Sequence, residues 1–451
     1  MEYISMRRLM TAIVASTLAA SIAGCGGTRA AERAQAEAQS DTQAAAVASV
    51  DEQEAQSDAT TSTTTNATQS TFTSSVTTSL DAMTSGGAID TSDLFTERDL
   101  EQEVDLVGAT YLSLASGQDV TITDEGVYVL VGDVEDVTVI VDAEAAKVQL
   151  VLDGVTITNT DWPAIYVKNA DKVFVTTTEG TQSTLSVTST YVADGETNTD
   201  AVIFSKDDLV LNGLGTLTVN STDNGITSKD DLKITGGTYI INSASDALEA
   251  NDSIRIADGN ISITTEKDGL HCENEDDDTL GYVYICGGSL NINAGDDGIH
   301  ATTYVQVDGG TIQISGGEAI EGTYIQINGG DVSISAWDDG INASYKSNSI
   351  GDPVIDIRGG NLSITMAQGD TDALDSNGYL YVSGGTVDIS AQFAFDFVYG
   401  SEFTGGTIYV NGEQVSEIAE SMMMGGMGGP GGGMGGEMGG PGGGMGGGPG
   451  W

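Results

Sequence analysis

Carboxylates recur along this chain at a fixed offset from a pair made of one small and one aliphatic residue. Alignment on that pair places Asp200, Asn224, Asp246, Asp268, Asp297, Glu318, Asp339, Asp372 and Asp396 in one column. Three positions further on, Thr227, Glu249, His271, His300, Glu321, Asn342 and Asp375 form a second. Doubled acids occur at Asp296 and Asp297 and at Asp338 and Asp339, and Asp370 stands just before Asp372. Stacked at the ~4.8 Å spacing of neighbouring strands, two carboxylates repel by about 0.9 kcal/mol in water and by roughly 3 to 4 kcal/mol at an effective dielectric of 20. Two oxygens on opposite sides of one calcium ion, each at ~2.3 to 2.6 Å, stand about 4.6 to 5.2 Å apart, which matches that spacing. The expected cofactor is therefore Ca2+. Its candidate ligands are Asp246, Glu249, Asp268, Asp296, Asp297, Asp338, Asp339, Asp370, Asp372 and Asp375, with backbone carbonyls and water filling the shell. Asp before Gly is also a turn former through its own side-chain hydrogen bonds, and that chemistry competes at every single position.

His271 and His300, the two histidines of the chain, fall in the same column of adjacent repeats. Imidazoles so placed suit zinc with a flanking acid, or a structural pair hydrogen-bonded to the turn.

The scaffold that must position these groups is a repeat. The stretch CGGSLNINAGDDGIHATTYVQVDGG holds, in order, a Gly-Gly turn, an alternating strand, an acidic turn and a second alternating strand. The second Gly of each turn marks the period, at Gly215, Gly237, Gly259, Gly288, Gly310, Gly330, Gly360, Gly385 and Gly406. Two longer intervals carry insertions, ENEDDDTLGYV after His271 and SYKSNSIGD after Ala343. Self-similarity at this period marks a solenoid, in which one unit cannot bury its apolar face alone.

After the Gly pair, alternate residues such as Leu217 and Val219, Tyr239 and Ile241, or Leu290 and Ile292 are apolar and point inward; before it, Val305 and Val307 or Ile325 and Ile327 do the same. The fold expected is all-β, a right-handed parallel β-helix. An antiparallel sandwich alternates too, but requires no fixed order of turn types at a fixed period. The segment containing LFTERDLEQEV reads as an N-terminal cap with the first irregular coils, because an open end exposes unpaired strand edges.

Outward positions of the strand before the Gly turn supply a tyrosine column of Tyr282, Tyr304, Tyr324 and Tyr379, with Gln306 and Gln326 alongside. Aromatic rings in a row with amides beside them suit stacking on sugar rings, and equally suit ordinary cross-strand packing.

The 451 residues carry 67 acidic and 15 basic side chains, a net charge of -52. That balance repels phosphate backbones and attracts cations or cation-bridged ligands, so nucleic acid is excluded as a partner. Residues 1–25 read as an export signal: Arg7 and Arg8 precede an apolar run, and the stretch ends in Ile22-Ala23-Gly24-Cys25. Those last four residues resemble a bacterial lipobox, which implies lipidation of Cys25, membrane attachment through that lipid alone, and an extracellular, lipid-anchored location. A plain secretory signal with a chance Cys is the other reading. Residues 26–89, poor in large apolar side chains, form a disordered tether, 90–420 the folded domain, and 421–451 a disordered Gly, Met and Pro tail. The tail serves as a spacer or crosslinking segment, or its thioethers hold Cu(I). Cys272 and Cys286 are expected either to pair or to remain as two buried thiols.

The repeated GGTxxIS, the D-[GA]-[IL]-[HEN] turns, the FTERDL entry and the AIYVKNADKVFVTTTEGTQSTLSV stretch together resemble the bacterial parallel β-helix carbohydrate-binding family, whose fold is related to that of pectate lyases. The resemblance covers roughly residues 90 to 412. It implies calcium along the helix and a cell-wall or extracellular polysaccharide as partner, an acidic glycan such as polygalacturonate or cellulose. Residue by residue, it extends to Asp246, Asp268, Asp297, Asp339 and Asp372. Asn224 and Glu318 depart from the pattern and put their rungs in doubt.

Three functions compete: a surface binding module in which calcium bridges protein to glycan, a polysaccharide lyase, and a structural adhesin. A lyase needs calcium to acidify the sugar α-proton and a Lys or Arg base. Arg255, Lys267, Lys229 and Lys233 are available, but in the sequence they do not cluster with a doubled-acid turn.

Overall fold

The computed structural model describes residues 88–420 apart from 196 and 370. The expected signal segment with Cys25, nearly all of the tether, the C-terminal tail and Asp370 lie outside the described residues. Among the described residues no helix is long and apolar enough to cross a membrane.

The described residues form three sheets of thirteen, thirteen and twelve strands, and each complete coil gives one strand to each. The first sheet runs from Thr110–Ser113 to Gly400–Phe403, the second from Asp133–Glu135 to Glu413–Val415, and the third from Val120–Ile122 to Phe393–Phe397. The strands pair in parallel until the last hairpin, where Glu413–Val415 turns back antiparallel on Thr407–Val410. The protein is a parallel β-helix, and that hairpin covers the exposed edge of its final coil.

The inward columns match the alternation in the sequence. Leu217, Tyr239, Ile261, Leu290, Ile312, Val332, Leu362 and Val387 pair in register from coil to coil, and all are buried. Each such aliphatic side chain contributes about 1.5 to 3 kcal/mol relative to exposure. The Gly pair is required by geometry at both places. Gly310 has φ 98°, which side chains with a Cβ resist, and a Cβ on Gly309 would lie 2.6 Å from the Cys286 carbonyl oxygen of the coil below.

The N-terminal segment corrects the expected cap. It is a strap along the outer face of the first sheet. The Ala88 amide donates to Gln326 Oε1 and the Ile89 amide to Gln306 Oε1, both at 2.9 Å. Leu94 packs with Tyr284 and Cys286, the Arg98 guanidinium lies over the Phe174 ring, and Gln102 Nε2 donates to the Thr235 carbonyl. Ala88 and Ile89, the last two residues of the expected tether, are thus held in the strap. Local sequence shapes the bend: in Thr96-Glu97-Arg98-Asp99 the Thr96 amide donates to Asp99 Oδ2 and the Asp99 amide to Thr96 Oγ1, a reciprocal pair of capping type. Asp99 is fully buried and sits 3.3 Å from Lys172 Nζ and 3.5 Å from Lys233 Nζ. Burial pushes its carboxyl up, but the Thr96 amide and the two lysines outweigh that and hold it below the usual carboxylate range.

Cys272 is a free, buried thiol, so the expected pairing with Cys286 is not formed. Both side chains are buried, Cys272 in the main core and Cys286 beneath the strap beside Leu94.

Candidate functional site

The acid columns lie on the third sheet and its entry turns. Strand register aligns Asn224, Asp246, Asp268, Asp297, Glu318, Asp339 and Asp372. Two expected members shift. Asp396 pairs with Asp375 in the second column, because the small residue of its turn, Ala394, follows Phe393, which takes the place opposite Asp372. Asp200 stands one residue before Ala201, which pairs with Asn224.

In the first column one oxygen of Asp246, Asp268 and Asp339 is committed to backbone. Asp246 Oδ1 accepts the Asp268 amide at 3.1 Å, Asp268 Oδ1 the Asp297 amide at 2.9 Å, and Asp339 Oδ1 the Asp372 amide at 2.9 Å. Asn224 Oδ1 does the same for the Asp246 amide at 3.0 Å, which is why an amide serves there as well as an acid. Turn chemistry, generalised into a ladder between coils, therefore accounts for one oxygen of each of these rungs.

The second oxygens face the second column, and there the chain supplies its own cations. Lys229 Nζ lies 2.9 Å from Glu249 Oε1, while Asn224 and Thr227 donate to Glu249 Oε2. His271 Nδ1 lies 2.7 Å from Asp268 Oδ2. His300 Nδ1 bridges Asp297 Oδ2 at 3.1 Å and Glu321 Oε2 at 2.9 Å, and Lys346 Nζ holds Glu321 Oε1 at 2.7 Å. Burial opposes charge on His300, but the Asp297 and Glu321 hydrogen bonds prevail and raise its pKa to about 10. The same balance raises His271, with Asp268 and Asp246 as the opposing acids. Of the two histidine readings, these hydrogen bonds match the structural pair.

Beyond Glu321 the self-neutralisation stops. Burial and the charge of Glu321 push Glu318 up to about 8, although Asn342 donates to it. Burial, then repulsion from Asp339, Asp396 and Asp372, pushes Asp375 up to about 7, and Asp375 hydrogen-bonds to Asp339. Two carboxylates bonded to one another require a shared proton or a shared cation.

Three groups bring metal-ligating atoms within 4.8 Å of one another: Asp246, Asp268 and His271; Asp268, Asp297 and His300; and Asp297, Glu318 and Glu321. Of the other candidate ligands, Glu249 is committed to Lys229, Asp296 and Asp338 are exposed outside these groups, and half-buried Asp339, Asp372 and Asp375 fall outside them as well. Lys267, apart from the doubled acids in the sequence, lies 3.6 Å from Asp246 Oδ1. Burial opposes its charge, yet Asp246 and Asp268 keep its pKa raised.

The tyrosine column is differently placed than its outward position implied. Tyr282, Tyr304 and Tyr324 do align, but Val354 separates Tyr324 from Tyr379. Gln306 and Gln326 are 1 % and 0 % exposed and Tyr324 is buried at 7 %, so these three do not face solvent. The strap amides occupy both Gln oxygens, and Tyr324 Oη donates to Asp356. Tyr282 and Tyr304 are half-buried, Tyr282 beneath the Arg255 guanidinium and Tyr304 against Tyr324. Tyr379 belongs to a second aromatic group: it stacks on Tyr381, centroids 5.7 Å apart, and meets Tyr399 at 5.4 Å. Tyr345 and Tyr399, which periodicity did not pick out, join it through a 2.9 Å contact of their hydroxyls. Their signal in the sequence was an aromatic residue inside a loop insertion and another just after the final acid of the second column.

A coiled scaffold bearing acid columns and aromatic groups is the setting in which the comparisons with known proteins fall. The family of carbohydrate-binding domain-containing proteins matches residues 116–373, more than half of the chain, and the chain belongs to that family. It is 40% identical over 126 residues to a carbohydrate-binding domain-containing protein of Acetivibrio thermocellus, a match covering 27% of this chain and 44% of the relative. The chain thus spans less than half of that relative's length. It is also similar to the solved structure of a polysaccharide lyase-like protein from C. thermocellum, a gadolinium derivative, at 32% identity over 50% of this chain and 93% of that one, with a TM-score of 0.44.

Proposed function

We propose that this protein binds acidic polysaccharide without cleaving it, that calcium bridges the two, and that the protein acts outside the cell, anchored by a lipid on Cys25. The observation that carries the calcium reading is the change of character along the acid columns. In the second column the chain's lysines and histidines neutralise the acids from Glu249 to Glu321, whereas Asp375 meets other acids, Asp339 foremost. Calcium favours oxygen donors on a flexible framework, and Asp339, Asp372, Asp375 and exposed Asp396 supply them from three successive coils. Asp339, Asp372, Asp375 and Asp396 would hold the ion, which would neutralise their charge and supply a cation for a glycan carboxylate. Asp297, Glu318 and Glu321 form a second all-oxygen group, with Glu321 shared by His300 and Lys346.

The state of Lys267 supports binding over elimination. Held protonated beside Asp246, it is a poor base for removing a sugar proton. The test is retention of the protein on immobilised polygalacturonate with calcium and with chelator, while near-ultraviolet circular dichroism follows the fold. Retention lost on chelation with the fold intact is the expected result. Retention unaffected by chelator overturns the calcium bridge, and release of an unsaturated uronate, read by its ultraviolet absorbance, overturns the non-catalytic reading.

A further inference from the structure

We infer that Asp99 on the strap and Lys233 on the first sheet form a self-modifying site, where the two side chains condense to an isopeptide bond that ties the strap to the β-helix. Nothing in this depends on what the protein binds.

Asp99 is 0% exposed and Lys233 5%, and Lys233 Nζ lies 3.5 Å from Asp99 Oδ2, with Lys172 Nζ on Oδ1 at 3.3 Å. The Thr96 amide donates to Oδ2 at 3.0 Å, so the carboxyl is oriented before any reaction. The strap backbone is pinned as well, since Thr235 Oγ1 donates to the Asp99 carbonyl. Reacting groups held in contact reach effective molarities of about 10⁵ M or more, which favours the amide over its separated parts. Condensation also removes two charges from a closed site where they are costly to bury.

The charges around the pair select Lys233 over Lys172. Lys172, Lys233 and Arg255 face Asp99, Asp208 and Asp231. With Asp99 and Lys233 joined, Lys172 keeps Asp208 at 3.4 Å and Arg255 keeps Asp231 at 2.8 Å, one acid to each cation. Were Lys172 joined instead, Lys233 and Arg255 would share Asp231, and Asp208 would lose the lysine at its side. Burial, then the charges of Arg255 and Lys172, lowers the pKa of Lys233 and eases the loss of its proton.

The step needs no co-reactant. One ammonium proton of Lys233 passes to Asp99 Oδ2, leaving an amine and a carboxylic acid. The nitrogen lone pair then attacks Asp99 Cγ, and Lys172 holds the negative charge that develops on Oδ1. Asp231, 3.8 Å from the Lys233 nitrogen, carries a second proton from that nitrogen to Oδ2. The Cγ–Oδ2 bond breaks with its electron pair on oxygen, and water leaves. Asp99 sits below the usual carboxylate range, so the first transfer is the costly one and the bond forms slowly, after folding.

The test holds the purified full chain for a week at physiological temperature, digests it with trypsin and sequences the peptides by tandem mass spectrometry. The expected product is a branched peptide joining 99–147 to 230–255, one water lighter than the two together and uncut at Lys233. Lys233→Arg, which keeps the cation, should abolish the branch, and Lys172→Arg should retain it, with near-ultraviolet circular dichroism following the fold of each. Absence of the branched peptide from folded wild-type protein, a branch at Lys172, or a branch that persists in Lys233→Arg would each overturn the inference.

Discussion

His271 and His300 lie face to face on successive coils, their ring centroids 4.8 Å apart and their planes 3° from parallel. Two imidazoles at the spacing of the coils are tolerated because each is held by acids: His271 by Asp268, His300 by Asp297 and Glu321. The stack supplies with side chains a charge of the kind that calcium is proposed to supply beside Asp339 and Asp375.

The first prediction is a pH dependence. The folded pKa of His300, about 10, exceeds its unfolded value, so its stabilisation is fully present below pH ~6.5 and is lost as pH rises toward 10. The denaturant midpoint should fall across that window, and His300→Gln should flatten the fall. At pH 7 the substitution leaves Glu321 and Asp297 short of a cation and costs about 3 kcal/mol.

Asp246 separates backbone capping from ion binding. Its Oδ1 accepts the Asp268 amide as Asn224 Oδ1 accepts the Asp246 amide, so Asp246→Asn should cost less than Asp246→Ala. The difference expected is about 1 kcal/mol by urea denaturation. Equal costs would show that the carboxylate charge, not the acceptor, is what matters there.

Calcium should raise the melting temperature of the wild-type protein, with a gain of about 2.7 kcal/mol at a hundredfold excess over its dissociation constant. Asp375→Asn should remove most of that response and Asp296→Asn, at an exposed position beside the column, little of it. Calorimetry with and without chelator reads both.

Strand sidedness predicts a contrast between neighbours. Ile241 is fully buried in the inward column and Ile240 is 41% exposed. Ile241→Ala should cost about 2 to 5 kcal/mol, whereas Ile240→Ala should stay within about 0.5 kcal/mol.

Replacing Asp99 by Ala leaves Lys172 with Asp208 alone and Lys233 with Asp231 alone beneath the strap, and should cost about 3 kcal/mol. Hydrogen exchange of the Ala88 and Ile89 amides should accelerate, because the strap is released from Gln326 and Gln306.

The core and the coil register were legible in the sequence because a side chain in a strand has two choices, and the inward one repeats as Leu, Ile or Val in every coil. The acid columns were legible for the same reason from Asn224 to Asp375, and failed at both ends, where Asp200 and Asp396 shift. Asp396 was misplaced because the turn signal there is Phe-Ala-Phe rather than an acid followed by a small residue. The burial of Gln306 and Gln326 was not legible. Alternation says that they point away from the core, but what covers them comes from more than 200 residues earlier in the chain. Lys346 was equally hidden, because an insertion has no register to align, and only folding brings it to Glu321.

The strap also governs how the domain comes apart. In a plain solenoid each coil touches only its neighbours, so the ends can fray one coil at a time. Here one short peptide spans seven strands of the first sheet, from Lys172–Thr177 to Tyr324–Ile327, and fastens both ends of that span. It leaves the ribosome first yet finds its last partner only after Gln326 has been made, so its docking is a late step of folding. Once docked, it makes those coils melt as a single cooperative block rather than as beads leaving a string.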